Sequence, residues 1–228
     1  MSTTDPDAVA GRPAVAAFDF DGTLTLRDTL LPFLRRACGH WPIARAAAIA
    51  ARRARGRDAF KVALIGELLR GWPAGRLDSL GRAYVPALLR ALRPESLERL
   101  DWHRRRGHAV VIVSASLGAY LRPLAGRLGL DGALAVELVV DAGGTLTGEV
   151  VGGLNTRGPE KVARLEAWLD TRFGPAADIE LWAYGDSSGD DELLAIADHP
   201  TWIGRRAPRT GRSRRALTSA ASARLRRP

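Results

Sequence analysis

Three short apolar segments constrain this chain more than anything else in it. They are PAVAAFDF (residues 13–20), HAVVIVSAS (108–116) and IELWAYGDSS (179–188). A strand with one wet face alternates apolar and polar residues, whereas a nearly unbroken apolar run is buried on both faces. Three such runs separated by helical stretches predict an α/β fold with a Rossmann-like parallel sheet as its core. Each run ends in small, polar or acidic residues. In open sheets of this kind the ligand crevice lies beyond the carboxyl ends of the strands. Asp19, Asp21, Ser114 and Asp186 are therefore expected to meet in one place.

The remaining pattern fills in around that sheet. Weaker strands at 133–140 and 146–152 flank the turn sequence DAGG (141–144), which predicts a hairpin. Helices are expected over 116–130, with Pro123 bending or dividing the first, over 158–170 behind a proline and an acid, and over 188–198. The first two strong strands lie about 85 residues apart, against roughly 30 for a simple crossover unit. Residues 29–94 read as helices broken at Gly39, Gly56, Gly71, Gly75 and Pro94. This predicts a helical cap inserted after the first strand, over the mouth of the sheet. The expected division is a catalytic core of 14–28 and 95–204, a cap of 29–94 and a basic, disordered tail of 205–228.

Charge and cysteine content narrow the setting. The net charge of +9 comes entirely from residues 205–228, which hold nine arginines and no acid. Residues 1–204 balance to zero, so the basic charge is not a core property and no specific nucleic acid partner is expected. Between 29 and 57 there are seven arginines and no acid among Leu, Ala, Ile and Trp. Such a cap suits an anionic substrate, or peripheral contact with an anionic membrane through cap or tail. Cys38 is the only cysteine, which excludes an internal disulfide. Residues 1–13 have no apolar run of the signal-peptide kind, and no stretch reaches the ~20 apolar residues of a membrane-spanning helix. A cytoplasmic protein, with a peripheral membrane position open to it, is the expectation.

The chemistry concentrates at the strand tips. Side chains at i and i+2 of a strand point the same way, so Asp19 and Asp21 place two carboxylates side by side. Such a pair repels unless a cation or proton intervenes. It suits a nucleophile beside a general acid and base, one carboxylate attacking and the other moving the proton. Asp186 adds a third carboxylate, and Asp190 or Asp191 a fourth, with Asp190 favoured. An oxygen-rich set without sulfur suits Mg2+. Ser114 can donate to a phosphate oxygen, and Gly22 and Thr23 can offer backbone N–H groups. Lys161 falls in the first turn of its helix, where anions are favoured. With 32 arginines and only two lysines in the chain, Lys61 and Lys161, a compact ammonium there points to crowded oxygens.

The set DFDGT (19–23), the strand-terminal Ser114, Lys161 and GDSSGD (185–190) resembles the haloacid dehalogenase superfamily of phosphatases over nearly all of the chain before the tail. The helical insertion resembles the cap of the phosphoserine-phosphatase-like branch, subfamily IB, in which some relatives act on phosphatidylglycerol phosphate. The resemblance implies that Asp19 forms an aspartyl-phosphate and that Asp21 is the general acid and base, with its carbonyl on Mg2+. Ser114 and Lys161 would hold the phosphoryl group, and Asp186 and Asp190 the metal. The expected function is Mg2+-dependent hydrolysis of a small or lipid-linked phosphomonoester. Phosphoserine is an alternative substrate, although 24–57 holds one acid, Asp28, and no glutamate for the amine. A non-catalytic phosphate- or RNA-binding module is the alternative from another class.

Overall fold

The computed structural model describes residues 12–204, and the predicted tail of 205–228 lies outside the described residues. Its main sheet has five parallel strands in the order β3-β2-β1-β6-β7. The strands are β1 (Ala14–Phe18), β2 (Ala109–Leu117), β3 (Gly132–Val136), β6 (Glu180–Gly185) and β7 (His199–Trp202). Alternate β1 side chains leave for opposite layers. Ala16 and Phe18 join one apolar cluster, with Val110 and Ile112 of β2. Val15 and Ala17 join the other, with Val111, Val113 and Leu165. A strand with both faces covered favours apolar residues on both, which is why the three predicted runs read as continuous, although β2 runs on past Ser114 and Ser116 to Leu117.

Two departures from the expected elements have local causes. The segment predicted as one strand over 133–140 divides at Glu137. Its first part, β3, pairs with β2, and β4 (Leu138–Val140) turns away to form an antiparallel hairpin with β5 (Leu146–Val150). Glu137 there forms an ion pair with Arg122, and its carbonyl accepts the Val151 N–H at 2.9 Å. The helix expected over 188–198 is the shorter α8 (Asp191–Ile196), and β7 follows it. That strand is four residues long and contains Pro200. It survives because it is an edge strand, where a missing N–H leaves no ladder bond open.

The long connection from β1 to β2 contains α1 (Leu30–Cys38), α2 (His40–Arg53), α3 (Arg57–Leu69), α4 (Ala74–Ala91) and α5 (Pro94–Arg105). It leaves and returns through adjacent segments. Arg93 N–H donates to the Leu24 carbonyl at 2.8 Å, and Leu26 N–H to the Ala91 carbonyl at 3.2 Å. Residues of α1, α2 and α3 stand over the strand tips, lining one cavity with them. By contrast, α4 lies against α6 (Gly118–Leu128). An added Cβ at Gly81 would sit 2.0 Å from the Ala119 carbonyl oxygen, so a glycine is what lets the two helices meet. The last long helix, α7 (Pro159–Phe173), covers the opposite sheet face through Leu165 and Leu169. No helix among the described residues is long and apolar enough to cross a membrane.

One buried polar group makes the fold sensitive to acid. His103 of α5 is fully buried, with Nε2 2.8 Å from the Tyr184 hydroxyl and Nδ1 2.9 Å from Nδ1 of His108. Burial, followed by the nearby His108, Arg99 and Arg106, pushes its pKa down from 6.5 to about 3. A ring depressed in the folded state binds its proton more readily when unfolded. Its contribution is thus complete above the unfolded pKa and is lost as pH falls from about 6.5 toward about 3. Between pH ~7 and ~5 this contribution alone falls by about 2 kcal/mol, equivalent to roughly 4–8 °C in melting temperature, while the raised Asp19 carboxyl acts in the opposite direction over the same range. Thermal melts of the wild type and of His103→Gln at both pH values check this: on going to pH ~5 the wild type should lose roughly 4–8 °C relative to the variant.

Candidate active site

The site is assembled where β1, β2 and β6 end. Beyond Phe18 the chain makes a tight turn closed by the Thr25 N–H on the Phe20 carbonyl, 2.9 Å. Gly22 makes that turn possible. Its φ is +89°, and a Cβ there would lie 2.2 Å from Oδ2 of Asp186. The glycine therefore serves both the backbone and the close approach of a carboxylate from β6.

Lys161, in the first turn of α7, is 2% exposed and reaches Asp19 Oδ1 at 2.5 Å and Asp190 Oδ1 at 2.6 Å. Burial alone would lower its pKa, but the two carboxylates more than offset this and the net direction is up. Asp19 is pushed up to about 7. Burial is the largest cause, Lys161 opposes it, and the Asp190 and Asp21 carboxylates add to it. Asp190 is anchored on its other side as well. Its Oδ2 accepts from Ser187 N–H and Ser187 Oγ at 3.0 Å and from Asp186 N–H at 3.3 Å. The ambiguity between neighbouring acids is thereby resolved in space: Asp190 is buried in the site, and Asp191 is exposed at the start of α8.

Asp21 is gripped by groups that the sequence did not single out. Oδ1 accepts from the Thr29 N–H at 2.8 Å and the Thr29 hydroxyl at 2.7 Å, and Oδ2 from the Ser116 hydroxyl at 2.5 Å. Burial raises its pKa, and the bonds from Ser116 and Thr29 pull against that without reversing it. A carboxyl so held keeps a proton more readily than a free one while its orientation is fixed. Ser116 lies in β2 where its register with β3 shifts between Val113 and Leu117, so simple strand alternation does not place it. Thr29 is no more legible, because only the course of the turn brings it back to Asp21.

The other expected residues divide. Ser114 lines the cavity, and its oxygen accepts the Ser116 N–H at 3.2 Å, leaving its own proton for another acceptor. Gly22 also lines it. Thr23 does not: it is fully buried, and its hydroxyl faces Asp186 Oδ1 at 3.4 Å. Lys61, Asp28 and Arg157 line the same cavity, of about 690 Å³, without having been assigned to it.

Asp19, Asp186 and Asp190 each offer a carboxylate oxygen, and the three atoms lie within 4.8 Å of one another. The donors are hard oxygens only, and Gly22 leaves Asp186 free to lean into the cluster. This set fits a small divalent cation.

The family model of haloacid dehalogenase-like hydrolases matches residues 16–195. Protein CicA of Caulobacter vibrioides (strain NA1000 / CB15N) is 37% identical over 193 residues, covering 82% of this chain and 84% of that protein. Among solved structures, a protein with unknown function from Bordetella pertussis Tohama I aligns with a TM-score of 0.64 at 20% identity, covering 80% of this chain and 86% of that one. A phospho-aspartyl intermediate analogue of phosphoserine phosphatase aligns with a TM-score of 0.54 at 21% identity, covering 82% and 84%. At these identities the two structures establish a shared fold.

Proposed function

The chain belongs to the haloacid dehalogenase-like hydrolase family, and from that premise we propose that it is a Mg2+-dependent phosphomonoester hydrolase working through a phosphoryl group carried on Asp19. The observation that carries this reading is the buried Asp19–Lys161–Asp190 arrangement, with Asp21 held beside it by Ser116 and Thr29. A nucleophile and a proton carrier are thereby placed at one cavity with separate supporting groups.

The Asp19 carboxylate attacks phosphorus, and the bond from phosphorus to the alcohol oxygen breaks. That oxygen takes the proton of Asp21 and leaves as the alcohol. Asp21, now a carboxylate, takes a proton from water as the water oxygen attacks phosphorus. The bond to Asp19 breaks, and inorganic phosphate, the Asp19 carboxylate and protonated Asp21 result. Lys161 neutralises charge on Asp19 and Asp190, so that an anionic phosphoryl group can approach them. Ser114 donates its hydroxyl to a phosphoryl oxygen, and Gly22, which lines the cavity, offers its backbone N–H. Mg2+, held by Asp19, Asp186, Asp190 and the Asp21 carbonyl, would supply positive charge to the phosphoryl oxygens.

The cap side of the cavity is walled by Leu30, Leu34, Ile43, Phe60 and Leu64. This favours a leaving group with an apolar part, in keeping with a small or lipid-linked ester. Phosphoserine is the second reading. One structural neighbour is a phosphoserine phosphatase, and Asp28 lines the cavity and offers a carboxylate to an amine.

The test is phosphate release from a panel of phosphomonoesters with Mg2+ and with EDTA. Release should fall at least ~100-fold in EDTA and return when Mg2+ is added back. Equal rates in both, or no release from any ester by folded protein, would contradict the proposal.

A further inference from the structure

Lys61 and Lys161 are the only lysines beside 32 arginines, and both line the same cavity. Their situations differ. The Lys161 ammonium is bound by Asp19 and Asp190. Lys61, on α3 across the cavity, is half-buried and makes no hydrogen bond or ion pair among the described residues. Arg57, one turn earlier on the same helix face, also lines the cavity and also makes none. Burial lowers the pKa of Lys61, and the carboxylates of Asp21, Asp28 and Asp19 oppose this without reversing it. Asp21, the proton carrier, and Asp28 line the cavity with it. A partly desolvated ammonium without a partner is satisfied when a ligand brings an anion to it.

We propose that Lys61 is a specificity residue that binds a second anionic group, on the leaving part of the substrate, so that the preferred esters are phosphomonoesters of an anionic alcohol. The anion is a carboxylate or a phosphodiester. This rests on the phosphomonoesterase reading above. The placement of Lys61 on the inserted helices, away from the strand tips, separates leaving-group recognition from phosphoryl chemistry.

Three esters distinguish the possibilities: glycerol 1-phosphate, with a neutral leaving group; 3-phosphoglycerate, with a carboxylate; and the monomethyl ester of glycerol 1,3-bisphosphate, with a phosphodiester. The wild type should favour one of the two anionic esters in kcat/KM. Lys61→Met should lower that preference by roughly 10- to 100-fold relative to glycerol 1-phosphate, and Lys61→Arg should restore part of it. Losses of the same size on all three esters, or an unchanged preference, would overturn the proposal. Calorimetric binding of the same esters to Asp19→Asn, with and without Lys61→Met, reads the anion site without turnover. Binding that depends on Lys61 while no ester is hydrolysed by the wild type would overturn the proposed function and leave the anion site standing. Binding that ignores Lys61 would overturn the anion site alone.

Discussion

Asp19→Asn is expected to lower phosphate release by roughly 10⁴-fold or more while the protein stays folded. The amide cannot carry a phosphoryl group as the carboxylate does, so the loss should lie in kcat. The fold should tolerate the change, because burial already favours the neutral form of this side chain. The asparagine oxygen can still accept from Lys161, whose second partner, Asp190, remains at 2.6 Å. A melting temperature within about 3 °C of the wild type, measured beside the rate, separates this outcome from simple unfolding. Retention of more than a tenth of the rate by folded variant would remove Asp19 from the role proposed for it.

Lys161→Met carries the largest expected cost in stability. The lysine joins two buried carboxylates, and its loss leaves Asp19 and Asp190 facing each other beside Asp186. Removing one partner of a buried ionic cluster typically costs about 3–5 kcal/mol. For a chain of this size that corresponds to a fall of roughly 6–20 °C in melting temperature. Because the same carboxylates fit a divalent cation, Mg2+ should return more stability to the variant than it adds to the wild type. Lys161→Arg should not rescue activity, since contacts of 2.5 and 2.6 Å to two buried oxygens suit a compact ammonium better than a planar fork. Melts with and without Mg2+ decide the matter, and a Lys161→Met variant as stable as the wild type would contradict it.

Much of the architecture was legible because strands buried on both faces leave a local signature, an apolar run with an abrupt polar end. The runs at β1, β2 and β6 needed no knowledge of their neighbours. The four residues of β7 did, since a segment with Pro200 becomes a strand only by lying along β6. The division at Glu137 was equally illegible, being set by a turn away from β2 toward β5. At the site, Asp19, Asp21 and Asp186 follow strand ends and could be read from spacing, whereas Ser114, expected at a strand end, lies within β2, which runs on to Leu117. Thr29, which holds Asp21, and Lys61, which lines the same cavity, come from the insertion, whose path over the site no local pattern encodes. Asp190 was favoured over Asp191, but helix position alone could not separate them, and burial does.

The central claim is that Asp19 carries the phosphoryl group. Its most direct measurement is acid quenching of the enzyme during turnover, followed by borohydride reduction and mass spectrometry of the peptide containing Asp19. An acyl phosphate there is reduced to the alcohol, so residue 19 should be recovered as homoserine, only when substrate and Mg2+ are both present and never in Asp19→Asn. Turnover with residue 19 recovered solely as aspartate, or with the phosphoryl group on another side chain, would contradict the account.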